Sequence, residues 1–334
     1  MNRIAIVNSS SFGKYFPDQL NRLRKIGPIE FFTFPSDINS IELAETLKDY
    51  NYIIASVTPF FTHEFFENHP GVKLLTRHGI GYNNVDVKSA TEHNCFVTIV
   101  EGIVEQDAVA ENTIAHLMNT TRQLTNATQA AQAGEWKRRA EFMGYQVRYK
   151  TVGIIGYGNI GSRVGSILKD GFECKVLAYD PYQSEQKIRD SGVISVTLNE
   201  LLSQSDIISL NAFVDEKSYH LINDDQIKLM KDHVIIVNTA RGELVNDRAI
   251  IKAVIERKIF SYGADVVEGE PIDGNHALFT SPYITITPHT SAYTFECLEG
   301  MGEKCVSDCE RVAAGNVPNN IINKELISQQ ERNL

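Results

Sequence analysis

Thr151-Val152-Gly153-Ile154-Ile155-Gly156-Tyr157-Gly158-Asn159-Ile160-Gly161 decides how the rest of this chain is to be read. An apolar, strand-like run meets three glycines spaced GxGxxG, and an apolar-periodic helical stretch follows. In a strand–turn–helix each glycine has its own task. Gly156 permits the tight turn, Gly158 lets a pyrophosphate reach the backbone, and Gly161 lets helix and strand pack closely. The helix N-terminus then offers unpaired amides and a positive dipole end to the phosphates, with Tyr157, Asn159 and Ile160 in the same turn. Alone, GxGxxG is a weak signal. A second strand reading at 175–179 strengthens it, because that strand runs into Asp180 about twenty residues past the last glycine. An acidic residue there accepts hydrogen bonds from the adenosine ribose hydroxyls and repels a 2′-phosphate. No Arg or Lys lies between Asp180 and Gln186, so the cofactor indicated is NAD and not NADP.

Downstream of this motif, strand patterns at 207–210, 234–238, 261–266 and 283–286 alternate with helical stretches. Upstream, strand patterns at 3–7, 52–56, 73–76 and 95–100 alternate with helical ones at 40–48 and 89–92. Alternation of this kind predicts parallel sheets with helices on both faces. Between the two series lies a long helical pattern over 105–133, with Gly134 as its stop, and a domain boundary is expected near its start. A last helix is expected over 293–314, closed by Gly315 with Pro318 beyond. The fold class is therefore α/β, with two doubly wound parallel-sheet domains.

At 334 residues the chain exceeds a comfortable single core. A formal net charge of −10 argues against nucleic acid as a partner. Residues 1–7 lack the long apolar core of a signal peptide, and no run approaches the roughly 18 apolar residues of a membrane span. A soluble, cytoplasmic protein with no membrane partner is expected. Cys95 and Cys174 are isolated, while Cys297, Cys305 and Cys309 share a helical stretch without zinc-site spacing, so no metal is expected.

Three further strands end in polar residues, where α/β sheets place ligands. They lead into Asn238-Thr239-Ala240-Arg241-Gly242, Glu268-Gly269-Glu270-Pro271 and Thr287-Pro288-His289-Thr290, and the second strand segment itself carries Asp265. With the glycine motif, these four segments in this order resemble the D-isomer-specific 2-hydroxyacid dehydrogenases over about residues 73–320, nearest the D-lactate and D-2-hydroxyisocaproate branch. The resemblance implies an oxidoreductase that reduces a 2-keto acid to a D-2-hydroxy acid with NADH. The chemistry suits the residue types. His289 can deliver the proton to the developing alkoxide. Glu270, by resemblance, favours and orients the imidazolium. Arg241 has the planar fork that matches a carboxylate and ketone oxygen. Asp265, Thr239 and Ala240 are implied to approach the cofactor.

Residues 77–86, Arg77-His78-Gly79-Ile80-Gly81-Tyr82-Asn83-Asn84-Val85-Asp86, are similar to the family's substrate loop, whose amides hold the substrate carboxylate. Ile80 and Gly81 are the candidates there, and His78 stands where many members have a small residue. Glu111 matches a family glutamate read as structural. Asn211-Ala212-Phe213 departs from the family's His-x-Pro-like segment, which leaves the cofactor contact of Asn211 open. Tyr293 is similar to a tyrosine of the lactate branch and would line the acyl pocket. By resemblance, residues 1–100 plus 292–334 form a flavodoxin-like substrate domain, residues 101–291 form an inserted Rossmann NAD domain, and the site lies between them in a homodimer. A phosphoglycerate, glyoxylate or hydroxypyruvate reductase stays open as an alternative, as does an NAD-sensing regulator or corepressor on the same fold.

Overall fold

The computed structural model describes residues 2–327. Met1 and residues 328–334, at the two ends of the expected substrate domain, lie outside the described residues. The chain forms two compact units, one up to Glu105 and again from Tyr293 onward, the other Gln106–Ala292.

The first unit holds β1 (Ile4–Val7), β2 (Ile29–Phe32), β3 (Tyr52–Ala55), β4 (Leu74–Arg77) and β5 (Phe96–Thr98) in the order β2-β1-β3-β4-β5, every pairing parallel. This is the flavodoxin-like order. Four strands are buried along their whole length and are mostly apolar, with Thr76, Arg77 and Thr98 the polar exceptions. β2 is the exception: it lies at the sheet edge with Glu30 and Phe31 exposed, so it carries no apolar run and goes unseen in the sequence.

The second unit holds β6 (Thr151–Ile155), β7 (Lys175–Tyr179), β8 (Ile194–Ser195), β9 (Ile207–Leu210), β10 (Val234–Asn238), β11 (Ile259–Ala264) and β12 (Ile284–Ile286). They form one parallel sheet in the order β12-β11-β10-β9-β6-β7-β8. Chain order reverses between β6 and β9, so the switch point, where such sheets bind ligands, lies at the carboxyl ends of those two strands. The two doubly wound parallel-sheet domains are as the sequence indicates, with the Rossmann sheet inserted in the chain of the other.

Among the differences from expectation, two have a side-chain cause. The helical pattern at 105–133 is two helices, Gly102–Arg122 and Leu124–Gln132, because Gln123 adopts a left-handed φ of 51°. The Gln123 side chain donates to the Met143 carbonyl at 2.7 Å, a tertiary contact that apolar spacing cannot reveal. Strand β11 starts and stops two residues earlier than expected. Asp265 has left the ladder, and its carboxylate is claimed by the loop that carries Thr290.

Candidate active site

Register alone brings five of the candidate residues to one sheet edge. Ile155 pairs with Leu210, Leu210 with Asn238, Asn238 with Ala264, and Ala264 with Ile286. The next residues along, Gly156, Asn211, Thr239, Asp265 and Thr287, therefore form one row at the carboxyl edge of the second sheet. Tyr179 pairs with Ile155, which extends the row to Asp180.

The glycine turn is shaped for close approach. Gly156 has φ +88°, and a Cβ there would sit 2.5 Å from the Ala212 nitrogen. At Gly161 a Cβ would meet the Gly156 carbonyl at 2.0 Å, whereas at Gly158 it would meet nothing within 4 Å. The first glycine and the third are thus demanded by the protein's own packing, and the middle one opens onto free space in front of helix Asn159–Ser166. The first-turn amides of that helix, Asn159, Ile160 and Gly161 among them, have no carbonyl within the helix to pair with. Asp180 accepts from the Tyr157 and Tyr182 amides, both at 2.8 Å, one on each oxygen. Each oxygen keeps a lone pair for a ribose hydroxyl. Asn211 donates to Ser209 at 2.9 Å, while its buried Oδ1 has no partner. A cradle of open glycine and helix amides, a carboxylate and an orphaned amide oxygen together fit a dinucleotide with an unphosphorylated ribose.

Arg241 precedes the short turn Gly242–Leu244. Asn238 fixes that turn, accepting from the Ala240 amide at 3.0 Å and donating to the Arg241 carbonyl at 2.8 Å. Thr239 is held by Thr113, with the two hydroxyl oxygens 2.6 Å apart. Gly242 packs against the backbone of the 267–270 turn, where a Cβ would lie 2.1 Å from the Glu268 nitrogen. The turns bearing Arg241 and Glu270 are therefore back to back.

A polar clamp ties the same two turns together from the other side. The His220 amide donates to the Glu243 carbonyl at 2.8 Å, and His220 Nε2 meets Glu268 at 2.7 Å. Tyr219, stacked on His220, donates to the other Glu268 oxygen at 2.6 Å. Burial pushes the Glu268 carboxyl up, but the Tyr219 hydroxyl and His220 outweigh it and hold its pKa below the usual value. Beside the clamp, burial lifts Asp247 to about 6.

His289 Nδ1 is hydrogen-bonded to Glu270 Oε1, and the other Glu270 oxygen accepts from the Val267 amide at 3.1 Å. Both groups are about a third exposed, so the pair is open to a reactant yet partly desolvated. His289 has φ +55° and donates its amide to the Asp265 carbonyl at 2.9 Å. The Asp265 carboxylate, 0% exposed, accepts from Thr287, from both donors of Thr290 and from both donors of Ser291. With that many donors on it, Asp265 anchors the His289 loop. His116 braces the loop from behind, its Nε2 2.9 Å from the Thr287 hydroxyl. Chain order hides these supports: Glu268 is 48 residues from His220 and Asp265 is 26 from Ser291.

In the first unit, Arg77 is buried and its Nε donates to the Gly81 carbonyl at 2.7 Å. The Ile80 amide donates to Glu105 Oε1 at 2.9 Å. The His78 ring packs edge-on against Phe12 at 5.3 Å, and its buried Nε2 has no partner. Burial, helped by the Arg77 charge next to it, holds the His78 pKa down at about 4, so the ring is neutral. Tyr293 is half exposed, with its hydroxyl 3.4 Å from that of Ser10. Glu111 is exposed on helix Gly102–Arg122. Among the described residues no cluster of His, Cys, Asp or Glu could hold a metal ion, and no helix is long and apolar enough to cross a membrane.

Comparison with known proteins gives the class. Residues 114–291 match the family described as D-isomer specific 2-hydroxyacid dehydrogenase, NAD binding domain. A glyoxylate reductase of Thermococcus litoralis is 32% identical over 315 residues, 92% of this chain and 94% of that protein. The apo-structure of D-lactate dehydrogenase from Escherichia coli is 30% identical with a TM-score of 0.80, covering 96% of this chain and 99% of that one. D-lactate dehydrogenase from Aquifex aeolicus, solved with NAD and lactic acid, is 26% identical with a TM-score of 0.83, covering 96% and 98%. The chain belongs to the D-isomer specific 2-hydroxyacid dehydrogenase family, and it is an NAD-dependent enzyme of that family.

Proposed function

We propose that this enzyme reduces a small 2-keto acid to the D-2-hydroxy acid, with His289, Glu270 and Arg241 as its catalytic set. The His289–Glu270 pair carries the reading. A carboxylate on Nδ1 fixes the orientation of the ring and directs Nε2, the other ring nitrogen, toward a reactant. Bound NADH supplies the hydride. His289 delivers the proton to the oxygen that becomes the hydroxyl, and Arg241 donates to the substrate carboxylate and ketone oxygen. Gly156, Tyr157, Gly158, Asn159, Ile160, Gly161, Asp180, Asn211, Thr239 and Ala240 form the cofactor wall, with Asp265 acting through the His289 loop. His78, Ile80, Gly81 and Tyr293 serve the substrate, the amides of Ile80 and Gly81 by donating to its carboxylate. On this reading residues 1–100 plus 292–334 are the substrate domain and 101–291 the cofactor domain. The unpaired thiols suit a cytoplasmic setting.

Two substrate readings have support. Tyr293 and the likeness to D-lactate dehydrogenases favour pyruvate or a bulkier acid such as 2-ketoisocaproate or phenylpyruvate. The relatives named glyoxylate reductase favour glyoxylate. Following NADH oxidation with each acid decides between them: the larger kcat/KM identifies the substrate. NADH binding without turnover of any acid would replace the enzyme reading with a sensing one.

The second unit also favours a homodimer. Its segment Trp136–Glu141 has no buried residue, Trp136 is 70% exposed and nearby Met143 75%. Large exposed apolar groups so close together mark an association surface. Light scattering should return twice the 37.4 kDa chain mass, falling to the monomer in Trp136→Glu. A monomeric wild type would end this proposal.

A further inference from the structure

The loop that the proposed function assigns to the substrate carboxylate already holds a carboxylate of the protein. Glu105 Oε1 accepts from the Ile80 amide at 2.9 Å. The contact is not a loose surface one, since Glu105 is 9% exposed and Arg77 2%. A Cβ at Gly79 would lie 3.6 Å from Glu105 Oε1 and 3.7 Å from Arg77 Nη2, so both charges close on the same glycine. Arg77 ties the loop to the end of β3, donating to the carbonyls of Gly81 and Ala55. The Glu105 charge is felt around it, adding to burial in pushing the Cys297 thiol up to about 12.

We infer that Glu105 competes with the substrate's carboxylate for the Ile80 amide, and thereby sets substrate affinity and selects against acids carrying a second carboxylate. The inference rests on the proposed assignment of Ile80 and Gly81. An incoming carboxylate must displace Glu105 or share the amide with it, and like charges a few ångströms apart repel strongly where water is sparse. Glu105 also offsets the positive charge of Arg77 beneath the loop, charge that would otherwise attract the substrate. A dicarboxylate meets this repulsion twice. Glu105 thus acts on binding before the chemical step, and its effect belongs in KM and not in kcat.

Glu105→Gln tests this, because the amide oxygen can still accept from Ile80 while the charge is gone. For the acid the enzyme prefers, KM should fall on the order of ten-fold, as should the Ki of oxamate, an unreactive 2-keto acid isostere. The kcat value and NADH affinity should change less than two-fold. The KM for 2-ketoglutarate should fall further than that for pyruvate. A KM and Ki that rise or stay level would overturn the inference, because a merely structural Glu105 would loosen the loop when altered. Glu105→Asp keeps the charge in the fold but draws it back from Ile80 by one methylene. Its KM should also fall, and it decides the question if the glutamine variant does not fold. The two levels of failure are distinct: a wild type that reduces no 2-keto acid defeats the proposed function. A competent wild type with unmoved KM in both variants defeats this inference alone.

Discussion

Replacing His289 with asparagine should lower kcat for 2-keto acid reduction by about a thousand-fold, within the range that a positioned general acid contributes. Asparagine is the informative substitution because His289 has φ +55°, a region asparagine tolerates better than most residues. The amide bond to the Asp265 carbonyl is kept, so the loop should hold and the lost rate reports proton delivery. NADH affinity should change little. Oxidation of the hydroxy acid supplies a second readout: it should fall in step, since the same ring takes the proton back in that direction. Glu270→Gln should cost less, because an amide oxygen can still accept from Nδ1 and hold the ring in place. A His289→Asn enzyme retaining a tenth of wild-type kcat would remove His289 from the chemistry.

How much of this was legible in sequence follows from which forces act locally. Buried parallel strands are continuous apolar runs, so β6, β7, β9 and β10 have the limits that the sequence indicates. Gly156 and Gly161 are visible because backbone packing tolerates no Cβ there. Once strand ends are known, parallel register brings the polar residues after them to one edge, which is why three separate segments could be read as one site. The supports of that site are another matter. Glu268 reads as one more polar residue of a turn until His220 and Tyr219 are folded onto it. Asp265 reads as a residue beside the cofactor, yet its oxygens serve the loop that carries His289. Glu105 reads as an ordinary first-turn acid on a helix, and only the tertiary fold brings it to the Ile80 amide. Such contacts depend on side chains from distant elements meeting, and periodicity holds no record of them.

Arg241→Gln should lower kcat/KM by about a hundred- to a thousand-fold, mostly through KM, as expected when one partner of a partly desolvated charge pair is truncated. The backbone under Arg241 gives the substitution a clear meaning. Asn238 binds the turn on both sides of the arginine, and Gly242 locks it against the 267–270 turn, so a glutamine inherits a fixed platform. What it lacks is the charge and the two-pronged donor face. Arg241→Lys should recover only part of the loss, since an ammonium restores the charge without the planar fork that can meet a carboxylate and a ketone oxygen together. The ordering Arg, then Lys, then Gln in kcat/KM therefore separates charge from geometry. If Lys matched Arg, the fork would be irrelevant and the arginine would serve as a plain counter-charge. If Gln matched both, the substrate carboxylate would be held by the Ile80–Gly81 loop alone, and the competition from Glu105 would then govern affinity without a second anchor.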